Sequence, residues 1–164
     1  MSNNSTAVRI RPARIDDIAQ ILAFVIELAI YEKAEHEVIA TEQHIRDTLF
    51  CENARAHALM CEIEGIAVGF AIYFFNYSTW LGKHGIYLED LYVSQASRGS
   101  GAGKALLKEL AKIALERDCG RVEWSVLDWN TPAIEFYEAL GARPQDEWTT
   151  YRLTGKALTD FANS

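Results

Sequence analysis

A dense run of glycines between a strand-like segment and an amphipathic segment most constrains what this chain can fold into. The stretch reads YLEDLYVSQASRGSGAGKALLKEL, from Tyr87 to Leu110. Its first part is rich in residues that favour strands, and its last part carries leucines at helical spacing. Glycine lets the backbone approach a ligand closely, and the first N–H groups of a helix have no intrahelical partner. The stretch therefore predicts a strand–loop–helix unit that binds an anion such as pyrophosphate.

Three phosphate-binding patterns compete for this loop. A Walker P-loop requires glycine at position 98 and a hydroxyl residue at position 105, where the chain has Arg98 and Ala105. A dinucleotide GxGxxG fingerprint requires glycine at position 104, where the chain has Lys104. The third pattern, [RQ]-x-x-G-x-[GA], is met by Arg98, Gly101 and Gly103. A flexible connection without a ligand is the alternative, and the strand–loop–helix context favours anion binding over it.

Composition and charge exclude several classes of protein. The chain has 164 residues, 49% hydrophobic and 24% charged, which is typical of one globular domain over residues 1–164. Its formal net charge of −7 argues against binding to nucleic acid. The longest apolar stretch, Ile18–Ile30, is interrupted by Gln20 and Glu27 and is too short to span a bilayer.

Cysteines, histidines and the start of the chain indicate the compartment. The 3 cysteines form no CxxC pair and suit a reducing environment. His36 and His44 lack the spacing of zinc ligands, so we predict no metal site. The polar start, MSNNSTAV, has neither the charged nor the apolar region of a signal peptide, and residues 1–6 are expected to be disordered. Together these features predict a cytoplasmic protein.

Hydrophobic periodicity predicts a mixed α/β fold in the order β-α-α-β-β-β-α-β-α-β, followed by a short helical segment. The predicted strands are 8–10, 56–63, 66–77, 85–93, 121–127 and 149–153. Glu64-Gly65 is predicted to be a hairpin turn between the second and third strands. The predicted helix starts are Asp16-Asp17, Thr41, the glycine loop and Thr131-Pro132, and Gly141 with Pro144 ends the fourth helix.

The glycine loop resembles the coenzyme A-binding motif of the GNAT superfamily of N-acetyltransferases. WNTPAIEFYEALGA (129–142) and IRPARIDDIAQI near the start also resemble this superfamily, and the resemblance covers residues 7–155. Within it, ELAIYE (27–32), NYSTWLGK (76–83) and YLEDLYV (87–93) resemble the diamine acetyltransferase branch, which acetylates spermidine, spermine and thialysine. The resemblance implies the GNAT fold, whose mostly antiparallel mixed sheet is flanked by helices and splays at the acetyl-CoA slot.

The resemblance also implies how each segment serves the cofactor, acetyl-CoA. The backbone of Leu91, Tyr92 and Val93 would pair with the pantetheine arm like an extra strand. Asn130 would contact the same arm, and Tyr137 would stand beside the sulfur as the general acid toward the departing thiolate. Without the motif, the alternative interpretation is that Tyr137 is an ordinary core tyrosine. The residues implied to hold the pyrophosphate are Arg98, Gly99, Ser100, Gly101, Ala102, Gly103 and Lys104.

Acetyl transfer to an amine requires a neutral amine. An alkylammonium with a pKa near 10.4 opposes deprotonation at pH 7 by about 4.6 kcal/mol, which a base can relieve. Glu89 is the first candidate base and Asp90 the second; their alternative role is as solvated charges at a strand end. Strict alternation would put them on opposite faces of the sheet, so both line one site only at a local bulge. An N–H group at such a bulge, that of Leu91, would stabilise the developing oxyanion.

The predicted amine site has one departure from the polyamine-acetylating branch. That branch has an acidic residue at the position of Ser78, and its later acidic and tryptophan contacts are only loosely matched by Glu147 and Tyr151. Fewer carboxylates favour a diamine, a thialysine-like amino acid or another small amine over a long polyamine. Trp80 either holds a cation against its ring or packs in its loop. The predicted amine-binding residues are Glu89, Asp90, Trp80, Tyr31 and Glu32.

These observations predict an N-acetyltransferase that transfers acetyl directly, because no cysteine lies in the motif segments to act as nucleophile. Two alternatives stay open: acetylation of a protein or peptide amine, and a non-catalytic sensor of acyl-CoA. The chain has Glu89, Asn130 and Tyr137, so its catalytic centre is intact, which argues against the sensor. The resemblance also implies a homodimer, and neither nucleic acid nor a membrane is expected as a partner.

Overall fold

The computed structural model of the chain describes residues 7–164, so the expected disorder of residues 1–6 lies outside the described residues. The chain divides into two compact units, one ending at Ser125 and the other comprising Val126–Ser164. The single domain over residues 1–164 stays a prediction. Within residues 7–164 no helix combines the length and the apolar character needed to cross a membrane.

The first unit is built on a five-stranded sheet with the order β1-β2-β3-β4-β5. Neighbouring strands are antiparallel, except that β4 and β5 run parallel. This confirms the predicted mixed, mostly antiparallel sheet with a βαβ crossover late in the unit. The elements are β1 (Val8–Pro12), α1 (Ile18–Tyr31), α2 (Glu42–Leu49), β2 (Ala56–Ile63), β3 (Ile66–Ser78), β4 (Lys83–Val93), α3 (Ala102–Glu116) and β5 (Val122–Trp124). Short 3-10 turns lie at Ile15–Asp17, Glu35–Glu37 and Gln95–Ser97.

Helices cover both faces of the sheet. On one face α1 and α2 bury an apolar cluster against the strands, as their predicted stripes require. On the other face α3 packs closely enough that Gly103 lies near Val93 and the Arg117 guanidinium lies over the ring of Phe75. The cluster under α1 and α2 consists of Ile18, Ile21, Phe24, Ile45, Met60, Phe70 and Tyr92.

The helix α1 begins differently from the prediction. Asp17 stands at the N-cap position, but its side chain makes no capping hydrogen bond there. Instead its carboxylate accepts two hydrogen bonds from the Arg11 guanidinium, at 2.7 and 2.9 Å, and one from the Arg14 N–H. The bond from Arg11 is the main reason that the pKa of Asp17 is lowered. A half-buried arginine therefore outcompetes the helix N–H groups for this carboxylate and ties β1 to the start of α1.

Two local predictions in the first unit are confirmed. Glu64 and Gly65 have φ values of 52° and 77°, which close the hairpin between β2 and β3. Thr41 Oγ1 accepts a hydrogen bond from the His44 N–H, and His44 Nδ1 accepts one from the Thr41 N–H, both at 3.2 Å. This reciprocal pair caps α2 as predicted, with a histidine in the place usually taken by glutamate.

The second unit contains two helices, α4 (Thr131–Ala139) and α5 (Gly155–Ala162). The predicted cap at Thr131 is wrong: Asn130 is the N-cap, and its Oδ1 accepts from the Ala133 N–H at 3.4 Å. Gly141 has a φ of 97° and ends α4 as predicted.

Two predicted strands differ in the structure. The strand predicted at 149–153 is wrong: these residues have no regular secondary structure, and Tyr151 is 92% exposed. A strand needs a partner edge as well as an alternating pattern, and none of the described strands pairs with this segment. The strand predicted at 121–127 is shorter, because β5 covers only Val122–Trp124.

Candidate active site

A one-residue bulge in β4 shapes the centre of the candidate site. The register pairs Tyr73 with Leu88 and Ile72 with Asp90, so Glu89 is an extra residue in β4. Asp90 consequently lies opposite Ile72, which packs against the cluster under α1. This is the local bulge that was predicted as the condition for both carboxylates to line one site. The oxyanion role of the Leu91 N–H stays a prediction.

Glu32, Glu89 and Asp90 form what we call the acidic cluster. Asp90 is largely buried, and burial is the main cause that raises its pKa to about 6. The negative charges of Glu89 and Glu32 raise the pKa of Asp90 further, so both lie within electrostatic reach of it. Glu32 follows the last residue of α1, and partial burial raises its pKa as well. Carboxylates brought together in this way attract a cation, which relieves their mutual repulsion.

The sheet opens next to this cluster. β5 pairs with β4 only over Ile86–Leu88, and pairing ends just before the bulge. β4 continues to Val93, and among the described residues no strand pairs with that side of Glu89–Val93. An unpaired strand edge offers N–H and C=O groups to an extended ligand. The predicted splay beside β4 is therefore present, and it leaves this backbone edge of the residues predicted to bind pantetheine without a partner strand among the described residues.

The glycine loop follows β4 after the short turn Gln95–Ser97 and leads into α3, as predicted. Gly99 and Gly101 have φ values of 82° and 86°, a region that favours glycine. A Cβ added at either position would meet no atom within 4 Å, so backbone conformation rather than packing requires these two glycines. Gly101 is the N-cap of α3, and Ser100 Oγ accepts from the Ala102 N–H at 3.4 Å. The loop thus presents a helix N-terminus with open space around its backbone, which fits an anion.

Arg98 lies between the loop and the end of α1. Its guanidinium carbon is 4.7 Å from the centre of the Tyr31 ring, and its Nε donates to the Val93 carbonyl oxygen at 3.4 Å. Tyr31 was predicted to contact the amine. The structure brings its ring to Arg98 beside the glycine loop, whereas the adjacent Glu32 belongs to the acidic cluster.

Ser78 and Trp80 lie in the turn between β3 and β4. Ser78 is buried, and its Oγ and backbone oxygen accept hydrogen bonds from the Leu81 and Gly82 N–H groups at 3.2 and 2.9 Å. The serine therefore closes the turn. Trp80 is 86% exposed at the far end of the hairpin, about 20 Å along β4 from Glu89 at a strand's usual rise per residue. The structure does not bring Trp80 to the acidic cluster, and its amine role stays a prediction.

Asn130 and Tyr137 belong to the second unit. Asn130 caps α4, and the half-buried Tyr137 lies on that helix with its ring 5.6 Å from the ring of Phe136. Seven residues are close to two helical turns, so Asn130, predicted to contact the cofactor, and Tyr137, the predicted general acid, lie on one side of α4. Their contacts with the cofactor stay predictions.

One contact of the site was not predicted from the sequence. The Tyr92 hydroxyl donates to Glu27 Oε2 at 2.7 Å, and the Tyr92 ring lies 5.8 Å from that of Phe24. Burial, followed by this hydrogen bond, raises the pKa of Tyr92 to about 12. The contact fixes α1 against β4 just before the glycine loop. The sequence contains one indication of this contact: Glu27 is a charged residue within the apolar stretch Ile18–Ile30.

An open strand edge, a glycine loop at a helix N-terminus and an acidic cluster adjoin the end of β4, the arrangement of an acyl-CoA-dependent transferase. The family model described as the Acetyltransferase (GNAT) family matches residues 26–142. The chain belongs to this family and is an N-acetyltransferase; members use acetyl-CoA as co-substrate. Among residues 7–164 no group of three or more His, Cys, Asp or Glu side chains is arranged to hold a metal ion.

Individual relatives cover nearly the whole chain. It is 38% identical to the thialysine N-epsilon-acetyltransferase of Mus musculus, an alignment covering 95% of this chain and 98% of the relative. It is 32% identical to the L-ornithine N5-acetyltransferase of Arabidopsis thaliana, covering 92% of this chain and 86% of the relative. Among solved structures, an integron cassette protein from the mobile metagenome of V. cholerae superimposes with a TM-score of 0.79 at 28% identity, covering 96% and 98% of the two chains.

The raised pKa of Asp90 predicts a specific pH dependence of stability. Its pKa is 3.8 when unfolded and about 6 when folded, so the folded state binds more protons between these values. The free energy of unfolding should therefore fall as pH rises from about 4 to about 6. Asp90→Asn should be more stable than the wild type by about 3 kcal/mol at pH 7.5, with the difference shrinking toward pH 4.

Urea unfolding at pH 4, 5.5 and 7.5, without ligands, measures this difference. Asp146→Asn, at an exposed carboxylate, serves as the control and should leave stability nearly unchanged. An Asp90→Asn protein no more stable than the wild type at pH 7.5 would contradict the prediction.

Proposed function

We propose that this protein transfers the acetyl group of acetyl-CoA directly to the primary amine of a small cationic substrate. The observation that carries the proposal is the acidic cluster at the bulge of β4, beside the open strand edge. The named substrates of the mouse and Arabidopsis relatives, thialysine and ornithine, are amino acids with a terminal side-chain amine, which supports the same class here. The serine at position 78, where the polyamine-acetylating branch has an acidic residue, supports a diamine or such an amino acid over a long polyamine.

Acetyl-CoA fits the open edge and the glycine loop. In our proposal the backbone of Leu91, Tyr92 and Val93 pairs with the pantetheine arm, and Asn130 contacts the same arm. The loop from Gly99 to Lys104 directs N–H groups at the pyrophosphate, with Arg98 adding positive charge. The supporting observation is the open space beside Gly99 and Gly101, where no protein atom occupies the position of a Cβ. When bound, acetyl-CoA supplies the acetyl group, and these residues of the chain orient the cofactor.

The two carboxylates of the bulge have different proposed roles because their surroundings differ. Asp90 is largely buried and raises the local affinity for a cation once its own proton is lost, above a pKa of about 6. Glu89 is exposed at the bulge, where it can take the amine proton directly or through water and release it to solvent. Carboxylates that attract an ammonium also raise its pKa, so binding and deprotonation oppose one another. Tyr137 is the proposed acid that protonates the leaving thiolate.

The expected test of substrate class is a panel of amines assayed by thiol release from acetyl-CoA. Thialysine, ornithine, a short diamine and spermidine should be compared with a peptide that carries a free amine. Turnover of the small amines alone supports the proposal, and turnover of the peptide alone supports the protein-acetylating alternative. Binding of acetyl-CoA without any turnover is the behaviour of a sensor.

We further propose a homodimer that acts in the cytoplasm, without nucleic acid or a membrane as partner. The dimer rests on the resemblance to the superfamily. The compartment is supported by the three cysteines, which are free thiols in the described residues. Light scattering on the purified protein tests the oligomeric state.

The glycine loop can be tested at Ser100 without disturbing the helix it precedes. Ser100→Asp keeps a side-chain acceptor for the Ala102 N–H but adds negative charge where the pyrophosphate is proposed to lie. We expect the rise in melting temperature caused by acetyl-CoA to be lost, corresponding to at least a tenfold weaker affinity. Ser100→Asn is the matched neutral control and should keep most of the shift. An unchanged shift in Ser100→Asp would contradict the assignment.

The acidic cluster predicts a kinetic difference between Glu89 and Asp90. Glu89→Gln removes the proposed base, so kcat/KM for the amine should fall by about 10²-fold or more at saturating acetyl-CoA, with acetyl-CoA affinity unchanged. Asp90→Asn should mainly raise the KM of the amine, because it removes attraction for the cation. Wild-type kcat/KM should rise from pH 6 toward alkaline pH. Wild-type kcat/KM in Glu89→Gln would refute the acidic-cluster mechanism.

Removing only the hydroxyl of Tyr137 tests its proposed role as acid. Tyr137→Phe keeps the ring and its packing, so stability and acetyl-CoA affinity should change little. We expect kcat to fall by about 10²–10⁴-fold in an assay in which chemistry limits the rate. Phe136→Leu, at the adjacent ring, controls for packing in α4. Normal turnover in Tyr137→Phe would assign Tyr137 to packing alone.

A further inference from the structure

We infer that Tyr31 is a positioning residue for the cofactor: its ring holds the Arg98 guanidinium at the pyrophosphate loop. The inference rests on the proposed binding of acetyl-CoA to that loop. It reassigns Tyr31 from the amine side of the site to the cofactor side. The observation behind it is the 4.7 Å between the Arg98 guanidinium carbon and the centre of the Tyr31 ring, a cation–π distance.

Tyr31 is well placed to act as a fixed support. It is the last residue of α1 and is half-buried, whereas Arg98 is exposed. The hydrogen bond from Tyr92 to Glu27, one helical turn before Tyr31, fixes this end of α1 against β4. The same strand leads through the short turn Gln95–Ser97 into the glycine loop. The ring of Tyr31 therefore keeps its position relative to the start of the loop.

The contact with Tyr31 reduces the loss of side-chain entropy that an exposed arginine undergoes when it binds an anion. A free arginine side chain samples many rotamers, and it must lose that freedom when it binds a phosphate. A cation–π contact, together with the bond from Arg98 Nε to the Val93 carbonyl, restricts those rotamers before the ligand arrives. Guanidinium has five N–H donors, so a single backbone bond leaves donors for an anion. Arg98 is thus prearranged next to Gly99 and Gly101.

Two variants of Tyr31 separate this role from simple packing. Tyr31→Phe keeps the ring and should bind acetyl-CoA as the wild type does. Tyr31→Leu removes the ring and should raise the Kd of acetyl-CoA about three- to fivefold, measured by calorimetry. Neither variant should change the Kd of S-acetylpantetheine, which has no pyrophosphate, or the KM of the amine at saturating acetyl-CoA. Tyr31→Gln, also without a ring, repeats the test if Tyr31→Leu proves poorly soluble.

A double-mutant cycle with Arg98 tests whether the two residues act as one unit. Arg98→Gln alone should weaken acetyl-CoA binding more than Tyr31→Leu does. In the Arg98→Gln background, Tyr31→Leu should cause no further loss. An additive loss, an equal loss toward S-acetylpantetheine, or a raised amine KM with unchanged acetyl-CoA affinity would each overturn the inference.

The same measurements distinguish this inference from the proposed function. If the wild type binds acetyl-CoA and Arg98→Gln weakens binding while Tyr31→Leu does not, only the role of Tyr31 is refuted. If Arg98→Gln leaves binding intact, the role of Tyr31 fails with that of Arg98, although acetyl-CoA binding stands. If the wild type does not bind acetyl-CoA, the proposed function and this inference are both refuted.

Discussion

The extra residue at Glu89 is the constraint on which the rest of the candidate site depends. Without it, regular alternation would turn Asp90 away from α1 and from Glu32. The bulge lies where the ladder between β4 and β5 stops, after Leu88. One local irregularity thus coincides with both halves of the candidate site. Carboxylates are gathered on the α1 side, and a strand edge is left without a partner among the described residues.

The carboxylates of the acidic cluster destabilise the folded protein when they are brought together, and they favour the binding of a cation. Burial and two neighbouring negative charges raise the pKa of Asp90, which means that its ionised form destabilises the folded protein. A cationic substrate reverses that penalty, because its charge replaces the repulsion within the cluster with attraction. Without substrate, the folded protein is therefore less stable than it would be with an uncharged side chain in place of the ionised Asp90. Perturbed pKa values of this kind are typical of functional sites.

The end of α1 connects the two halves of the site. Glu27 bonds Tyr92, Tyr31 lies beneath Arg98, and Glu32 belongs to the acidic cluster. All three lie within six residues, so the end of one helix places groups toward the strand, the glycine loop and the acidic cluster. The apolar stripe of α1 makes this possible, because its burial fixes the helix on the sheet and leaves its last turn at the end of β4.

Several features that depend only on neighbouring residues in the chain were determined by the sequence itself. The glycine loop before α3, the hairpin at Glu64-Gly65 and the cap at Thr41 are local, since each depends on backbone conformation or a contact over a few residues. Features that depend on strand pairing were decided only by the tertiary structure. The predicted strand at 149–153 has the right pattern but no partner edge, and the sequence required a bulge near Glu89 without locating it. Two further features depend on groups that are distant in the sequence. Arg11 binds the Asp17 carboxylate, which therefore does not cap the helix as predicted. The pKa of Asp90 depends on Glu32, which only folding brings near.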